Sequence, residues 1–347
     1  MSNKTYRAGI IGLGFIGGAD PVSADALGQK LESLDGSHAV ALGSHERVQL
    51  VAGASRDAGR RQRFEQRSGA RTYADWSQML DTEDLDIVSV ATYTPEHAQQ
   101  TIECARRGVR AIWCEKPIAA TLRDADAMLE ACRQSGSLLV INHNRRFDAV
   151  YRRLRDHLAA GGLGELTSIY MQWGRGRLGN VGTHTIDAAL MLTGRRVEAV
   201  SATLDQAGKP DCRGAAFRDP GGWGFLRLDN GVMVCIDAAD YATTPYRFIV
   251  NGKKGRATAG PFRSDVHLES WDGQTQRWPG TEEPTMNLAV REIVQALDGE
   301  APFPYDAEEA VHTLEAIVAC HASSARDAAW CRLPLEGEGR AIEVLTG

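Results

Sequence analysis

Three short stretches of the chain carry residues that could do chemistry together. IIGLGFIG holds Gly12, Gly14 and Gly17 in the spacing G-x-G-x-x-G, with Phe15 and Ile16 between the last two. The first glycine permits a tight turn, the second lets backbone approach a pyrophosphate, and the third lets a helix pack close. N–H groups at that helix start would face phosphates. WCEKP, at 113–117, sets Lys116 between a carboxylate and a proline where an apolar run ends. An ammonium there can hold an oxygen on which negative charge develops; its plainer reading is a surface lysine. NVGTHTID, at 180–187, sets His184 three residues before Asp187. An imidazole titrates near neutral pH and can take a hydroxyl proton; its plainer reading is a buried histidine bonded to a backbone carbonyl. Asp187 has two readings, orienting His184 or capping and packing a helix.

These residues need elements to place them. YRAGIIG, RVQLVAGAS, DLDIVSVAT, AIWCEKP and SLLVINHN read as short buried strands, with amphipathic helical patterns between them. That alternation predicts a doubly wound parallel sheet with helices on both faces. After about residue 150 the rhythm changes. TSIYMQWGRG, VEAVSATLD, WGFLRLDNG, VMVCIDAAD, YRFIVNGKKG and HLESWDGQ alternate polar and apolar residues, and Asp229-Asn230-Gly231 and Asn251-Gly252 read as hairpin turns. Two helices, NLAVREIVQALDG and AEEAVHTLEAIVACHASSARD, follow. The fold class is α/β: an N-terminal Rossmann sheet, then an α/β domain with an open, largely antiparallel sheet.

A residue reading an adenosine ribose is expected about 20 residues past the glycine turn, near Asp35. Asp35 is rejected, because LESLDGSH is not a strand end. The second strand ends at Ser55-Arg56. An acid at that tip would bind a free 2′-hydroxyl, whereas serine and arginine suit a 2′-phosphate, so NADP is favoured over NAD. The plainer reading of Arg56 is a solvated charge at a helix start. The displacement marks residues 18–36 as an insertion, either a lid or a partner contact.

With these pieces in place, the chain resembles the glucose–fructose oxidoreductase and inositol dehydrogenase (Gfo/Idh/MocA) family over nearly its whole length. The resemblance rests on the glycine motif, on Thr92-Tyr93-Thr94-Pro95-Glu96-His97, on Glu115-Lys116-Pro117 and on the G-x-H-x-x-D of NVGTHTID. NRRF at 144–147 and GGLGEL at 161–166 match at the domain junction. It implies a dinucleotide-binding domain over 1–144 and a substrate-binding and oligomerisation domain over 145–347. It implies a cis peptide in the E-K-P turn, Lys116 against the reacting hydroxyl and His184 as acid/base. It also implies cofactor contacts from Thr92, Thr94, His97, Glu115, Lys116 and Asn144, and substrate contacts from Lys116, Arg145, Asn180, His184 and Trp173. Where many members have aspartate this chain has Asn180, which can bind a hydroxyl but cannot take a proton. Trp173, like Trp223, is read either as a stacking surface for a sugar or as core. Arg175 and Arg177 are weaker candidates for an acidic substrate group. For Arg145, Arg146, Arg152, Arg153 and Arg155, a solvated helix face is the simpler reading than an anion patch.

Composition narrows the classes. With 347 residues, two domains are expected at about 150 residues each. The net charge of -6 disfavours nucleic-acid binding. Seven scattered cysteines without a C-x-x-C pair, and nine histidines without ligand spacing, predict free thiols and no metal. No apolar run reaches the roughly 18 residues of a membrane span, so a cytoplasmic protein is expected. The expected function is NAD(P)-dependent hydride transfer with a secondary alcohol of a sugar, cyclitol or sugar derivative, in a homodimer or homotetramer. Two rivals are a redox-neutral, NAD-dependent glycosidase and a non-catalytic nucleotide-binding regulator.

Overall fold

The computed structural model describes residues 4–27, 30, 35–205, 217–240 and 243–346. The chain divides into two units. One contains residues 1–119, 124–142 and 283–308; the other contains 120–123, 143–282 and 309–347. The expected boundary at 144 falls beside the crossing at Asn142–His143, but residues 283–308 return to the first unit.

The first unit is built on six parallel strands: β1 (Tyr6–Ile11), β2 (Val48–Ala54), β3 (Arg71–Tyr73), β4 (Ile87–Val90), β5 (Ala111–Cys114) and β6 (Leu138–Ile141). Their order is β3-β2-β1-β4-β5-β6, the doubly wound order that reverses direction between β1 and β4. Every residue of β4 and β5 is buried, as the continuous apolar runs of central parallel strands require. The strand β3 was not anticipated: its three residues offer no apolar run. The connecting helices are α1 (Phe15–Gly18), α2 (Pro21–Ala26), α3 (His38–Ser44), α4 (Ala58–Ser68), α5 (Trp76–Thr82), α6 (Thr94–Arg106) and α7 (Leu122–Ser135). Ser37, Asp57 and Asp75 cap α3, α4 and α5 by accepting from a backbone N–H in the first turn.

Part of the inserted segment can be followed. α1 stops at Gly18, and Asp20 starts α2 by accepting from Ser23 N and Oγ. The Asp20 carboxylate is buried and meets Arg63 of α4 at 2.7 Å, so this end of the insertion is pinned to the domain. Residues 28–29 and 31–34 lie outside the described residues. Burial alone would raise the Asp20 pKa, but Arg63 and Ser23 hold it at about 2 against an ordinary 3.8. A depressed carboxylate contributes stability above its unfolded value and loses it as pH falls through its folded value. The thermal midpoint should therefore fall between pH 3.8 and about 2, and Arg63→Gln should flatten that fall. Midpoints measured across this range check it.

Among the described residues the second unit holds nine strands: β7 (Leu166–Gln172), β8 (Val197–Leu204), β9 (Gly222–Leu228), β10 (Met233–Ala238), β11 (Arg247–Gly252), β12 (Gly255–Ala259), β13 (Val266–Ser270), β14 (Thr275–Trp278) and β15 (Cys331–Arg332). They run β14-β13-β12-β11-β7-β10-β9-β8-β15; among the described residues only β7 and β10 pair in parallel, so the sheet is mixed but mostly antiparallel. Asn230-Gly231 turns β9 into β10 as expected, Gly231 having a φ of 84°. Asn251-Gly252 is not the next turn. Both residues stay in β11 and the loop falls on Lys253-Lys254. Gly252 serves a close approach instead: a Cβ there would lie 2.3 Å from the Leu163 carbonyl oxygen. α8 (Ala149–Ala159) and α9 (Thr183–Thr193) belong to this unit, whereas α10 (Thr285–Asp298) belongs to the first. There Asp298 accepts from Tyr6 and Arg47, and the Thr285 N–H donates to Asp35. Polar anchors invisible in the local pattern thus return α10 to the first sheet. α11 (Ala307–Ser324) lies almost wholly in the second unit. Among the described residues no helix is long and apolar enough to cross a membrane.

Candidate active site

In the first unit, register brings the site together. Ile11 pairs with Ala54 and Val90, Val90 with Cys114, and Cys114 with Ile141, so four strands end level with β1. The residues that follow them, Gly12, Ser55, Ala91-Thr92, Glu115-Lys116 and Asn142, form one edge. Gly12 N bonds Ala54 O, Ala91 N bonds Ile11 O, Glu115 N bonds Val90 O and Asn142 N bonds Cys114 O, at 2.8–2.9 Å. In an open doubly wound sheet, ligands bind outside this edge where the strand order reverses.

The glycine turn fits a dinucleotide. Gly12 has a φ of 100°, and a Cβ there would lie 2.4 Å from the Ala91 carbonyl oxygen. Gly17 approaches Gly12 so closely that a Cβ would lie 2.0 Å from the Gly12 oxygen. Gly14 differs: its missing Cβ would meet only the end of Arg60, at 3.8 Å, which leaves room for a ligand over the backbone. Phe15 and Ile16 open α1 directly after it. Gly12→Ala should cost about 1–3 kcal/mol from the φ alone, with the overlap at Ala91 added. A drop in thermal midpoint with loss of NAD(H) binding in titration is the expected result.

Ser55 and Arg56 stand at the tip of β2. Arg61 of α4 holds both of their carbonyl oxygens, at 2.7 and 3.0 Å. The Arg56 side chain is 85 % exposed and meets Glu96 at 3.0 Å, a surface pair of little energetic weight. Thr92 gives its hydroxyl to Gln100, and Thr94 begins α6. His97 is buried, with Nδ1 3.0 Å from Pro117 O and Nε2 3.2 Å from Thr92 O. It ties the turn after β4 to the turn after β5. Burial lowers its pKa, against the pull of the two carbonyls.

The E-K-P turn contains a cis Lys116-Pro117 bond. Its glutamate is buried and fully engaged. Glu115 Oε1 accepts from Asn142 Nδ2 at 2.6 Å and meets His38 Nε2 at 3.0 Å; Oε2 accepts from Lys116 N at 3.3 Å. Burial alone would raise the Glu115 pKa, but His38, the Lys116 charge and Asn142 hold it at about 2. Burial pushes the neighbouring Cys114 thiol well up, which leaves it inert. Sequence reasoning missed His38, Ser89 and Asn142, since they come from α3, β4 and the end of β6.

The second unit presents its own cluster. A 3-10 turn, Asn144–Phe147, leads into α8, and residues 178–182 form a π-helical turn before α9. The π-helical turn is held from below. Asp219 accepts from Gly179 N at 2.6 Å, Asn180 N at 2.8 Å and the Thr346 hydroxyl at 2.8 Å, and burial raises its pKa. Asp187 is fully buried. It binds Arg146 through both oxygens at 2.8–2.9 Å, lies 3.2 Å from His143 Nδ1, and accepts from Thr313 at 3.3 Å. These bonds are the ones a packing anchor for α9 would make. His143 Nε2 is 3.0 Å from Thr183 Oγ1, and its ring stands edge-on to His184 with centroids 6.1 Å apart. Arg145 and Arg146 are buried, so the solvated-face reading fails for both. Arg145 lies over the rings of Tyr151 and Tyr246, at 6.0 and 5.3 Å. Trp173 is buried and gives its indole N–H to Gly176 O at 2.7 Å. Trp223 and Phe225 are exposed on β9. Arg175 and Arg177 both have positive φ, 67° and 66°, a strain found most often near functional sites. The structure thus gathers the twelve dinucleotide candidates from Gly12 to Lys116 at one edge of the first unit, and Asn144, Arg145, Trp173, Asn180 and His184 in the second. A cavity of about 340 Å³ near Arg110, Ser137 and Phe303 lies where β5 and β6 begin, at the opposite edge from this chemistry.

Sheet order, glycine turn and E-K-P edge define a nucleotide-binding oxidoreductase of the Rossmann class. The chain belongs to the Gfo/Idh/MocA oxidoreductases: residues 6–143 match the family's NAD-binding Rossmann fold and 170–258 match its C-terminal domain. Its relatives include levoglucosan dehydrogenase of Pseudarthrobacter phenanthrenivorans, 27 % identical over 69 % of this chain and 66 % of that one. Myo-inositol 2-dehydrogenase of Thermotoga maritima is 27 % identical over 56 % of this chain and 62 % of that one. The chain thus matches just under two thirds of these relatives' length. By fold it is similar to the aldose–aldose oxidoreductase of Caulobacter crescentus, with a TM-score of 0.78 at 20 % identity, over 95 % of this chain and all of that one. A levoglucosan dehydrogenase in complex with NADH and levoglucosan also gives 0.78, at 19 % identity, over 96 % of this chain and all of that one.

Proposed function

We propose that the chain is an NAD(P)-dependent dehydrogenase acting on a secondary alcohol of a sugar, cyclitol or sugar derivative. The observation that carries this is the buried, ionised Glu115 directly behind Lys116, at the same strand-end edge as the glycine turn. Gly12, Gly14, Gly17, Phe15 and Ile16 would hold the pyrophosphate, and the bound nicotinamide supplies a hydride acceptor at C4. Lys116 holds the substrate oxygen and offsets the negative charge that grows on it as the C–H bond breaks. His184 takes the hydroxyl proton. Asn180 and Arg145 bind neighbouring oxygens. The reverse reaction uses the same groups. The names of the relatives, inositol and levoglucosan dehydrogenases, support this substrate class.

Ser55 and Arg56 favour NADP: they occupy the first two positions past β2, where an acid would meet a 2′-hydroxyl, while Asp57 is engaged in capping α4. Arg56→Ala should weaken NADP binding about tenfold, the loss of one charge-assisted contact, and leave NAD binding unchanged. Fluorescence titration with both reduced cofactors checks it. The exposed Trp223 and Phe225 on β9, 41 % and 49 % accessible, suit burial against a second copy; light scattering should give a dimer or tetramer. The experiment for the function itself is cofactor reduction with a panel of sugars, sugar acids, inositols and glycosides. Steady reduction with a polyol supports it. Release of an aglycone without net reduction points to the redox-neutral glycosidase instead.

A further inference from the structure

We propose that His38 is a positioning residue for Lys116, acting through the buried Glu115 carboxylate; the role rests on the dehydrogenase reading above. His38 opens α3, at the end of the inserted segment, and reaches the sheet edge from outside the E-K-P turn. It is fully buried, its ring tilted against Trp113 with centroids 4.0 Å apart. Its two nitrogens have different partners. Nε2 faces Glu115 Oε1 at 3.0 Å, and Nδ1 faces the Ser89 hydroxyl at 2.6 Å. An ionised carboxylate only accepts, so Nε2 carries the hydrogen; in the neutral ring Nδ1 then accepts from Ser89, which fixes that tautomer. A carboxylate this deep stays ionised only if it is hydrogen-bonded or paired with opposite charge. His38 and Asn142 meet Oε1, and the Lys116 backbone N–H meets Oε2. The same carboxylate therefore fixes the backbone that aims Lys116 and sets a negative charge beside its ammonium. The titratable groups set against Glu115 are His38 from α3, His97 from α6, Cys114 and Lys116.

The test reads Lys116 without substrate or cofactor. The full-length protein is trace-labelled with acetic anhydride across a pH series, and acetylation of Lys116 is followed by mass spectrometry. Only the neutral amine reacts. His38→Phe keeps a ring but removes the donor, so Glu115 loses its grip on the charge. Lys116 should then label about tenfold faster at neutral pH, the effect of one pKa unit. His38→Gln keeps an N–H donor and should label like wild type. Glu115→Gln should match His38→Phe, and the double variant should be no faster than Glu115→Gln alone. Ser89→Ala, a loss of one oxygen, should shift labelling the same way and decides the matter if His38→Phe does not fold. Wild-type labelling in His38→Phe, or in Ser89→Ala where His38→Phe fails to fold, overturns the proposal. So does a His38→Gln shift as large as that of His38→Phe, or additivity in the double variant. If labelling shifts as expected while no alcohol is oxidised, the dehydrogenase reading fails and the linkage to Lys116 stands.

Discussion

Lys116→Ala is expected to lower kcat by about 10²–10³-fold, the cost of removing one preorganised donor from a developing oxyanion. Cofactor binding should stay within a few-fold of wild type, because the glycine turn and the β2 tip are untouched. The reasoning is positional. Lys116 follows β5, whose end is level with β1 and β4, and the turn carrying it is bound from three sides by Asn142, His38 and His97. Its ammonium therefore sits on a fixed backbone next to a fixed negative charge. Lys116→Arg should not restore activity, since a planar guanidinium cannot occupy the site of a compact ammonium on that backbone. Steady-state kinetics with the substrate found by the panel, alongside cofactor titration, decides it. A variant that keeps kcat but raises KM would make Lys116 a binding residue only.

Asp187→Ala is expected to be the most destabilising single change at the site. The carboxylate is fully buried and binds Arg146, His143 and Thr313. Its removal takes from the buried Arg146 guanidinium the carboxylate that meets it through both oxygens; Glu309, another partner, has a half-exposed side chain. Breaking a buried pair from one side costs about 3–5 kcal/mol, or roughly 10 °C in thermal midpoint for a unit of this size. If Asp187 served only to orient His184, activity would fall with the midpoint unchanged. Calorimetry on Asp187→Ala and Asp187→Asn separates the two roles. The asparagine variant keeps the shape and part of the hydrogen bonding, so it should lose less.

The parts that were legible in the sequence are those written in contiguous residues. The apolar runs of β1, β4 and β5, the glycine spacing and the E-K-P turn each sit within a few positions, and their alternation with helical patterns marks a parallel sheet. What could not be read is what depends on partners far along the chain. β3 and β14 are short edge strands without an apolar run, and β14 is largely exposed, so their pattern is that of a loop. The helix α10 looks like any amphipathic helix; only its bonds to Tyr6, Arg47 and Asp35 show which unit it joins. Arg146 stands in a basic run that resembles a solvated face, and its buried partner Asp187 is forty-one residues away. His38 and Ser89 meet behind Glu115 only because α3 returns to the edge where β4 and β5 end. The polar network around a motif has no spacing of its own.

The central claim is that Lys116 serves hydride transfer from an alcohol carbon. It is tested most directly by isotope. The panel substrate is prepared with deuterium on the reacting carbinol carbon and incubated with the oxidised cofactor, and the mass of the reduced cofactor is measured. The account predicts one deuterium in the reduced nicotinamide, formed about 10²–10³-fold more slowly by Lys116→Ala than by wild type. A reduced cofactor without deuterium, or one formed equally well by Lys116→Ala, would contradict it.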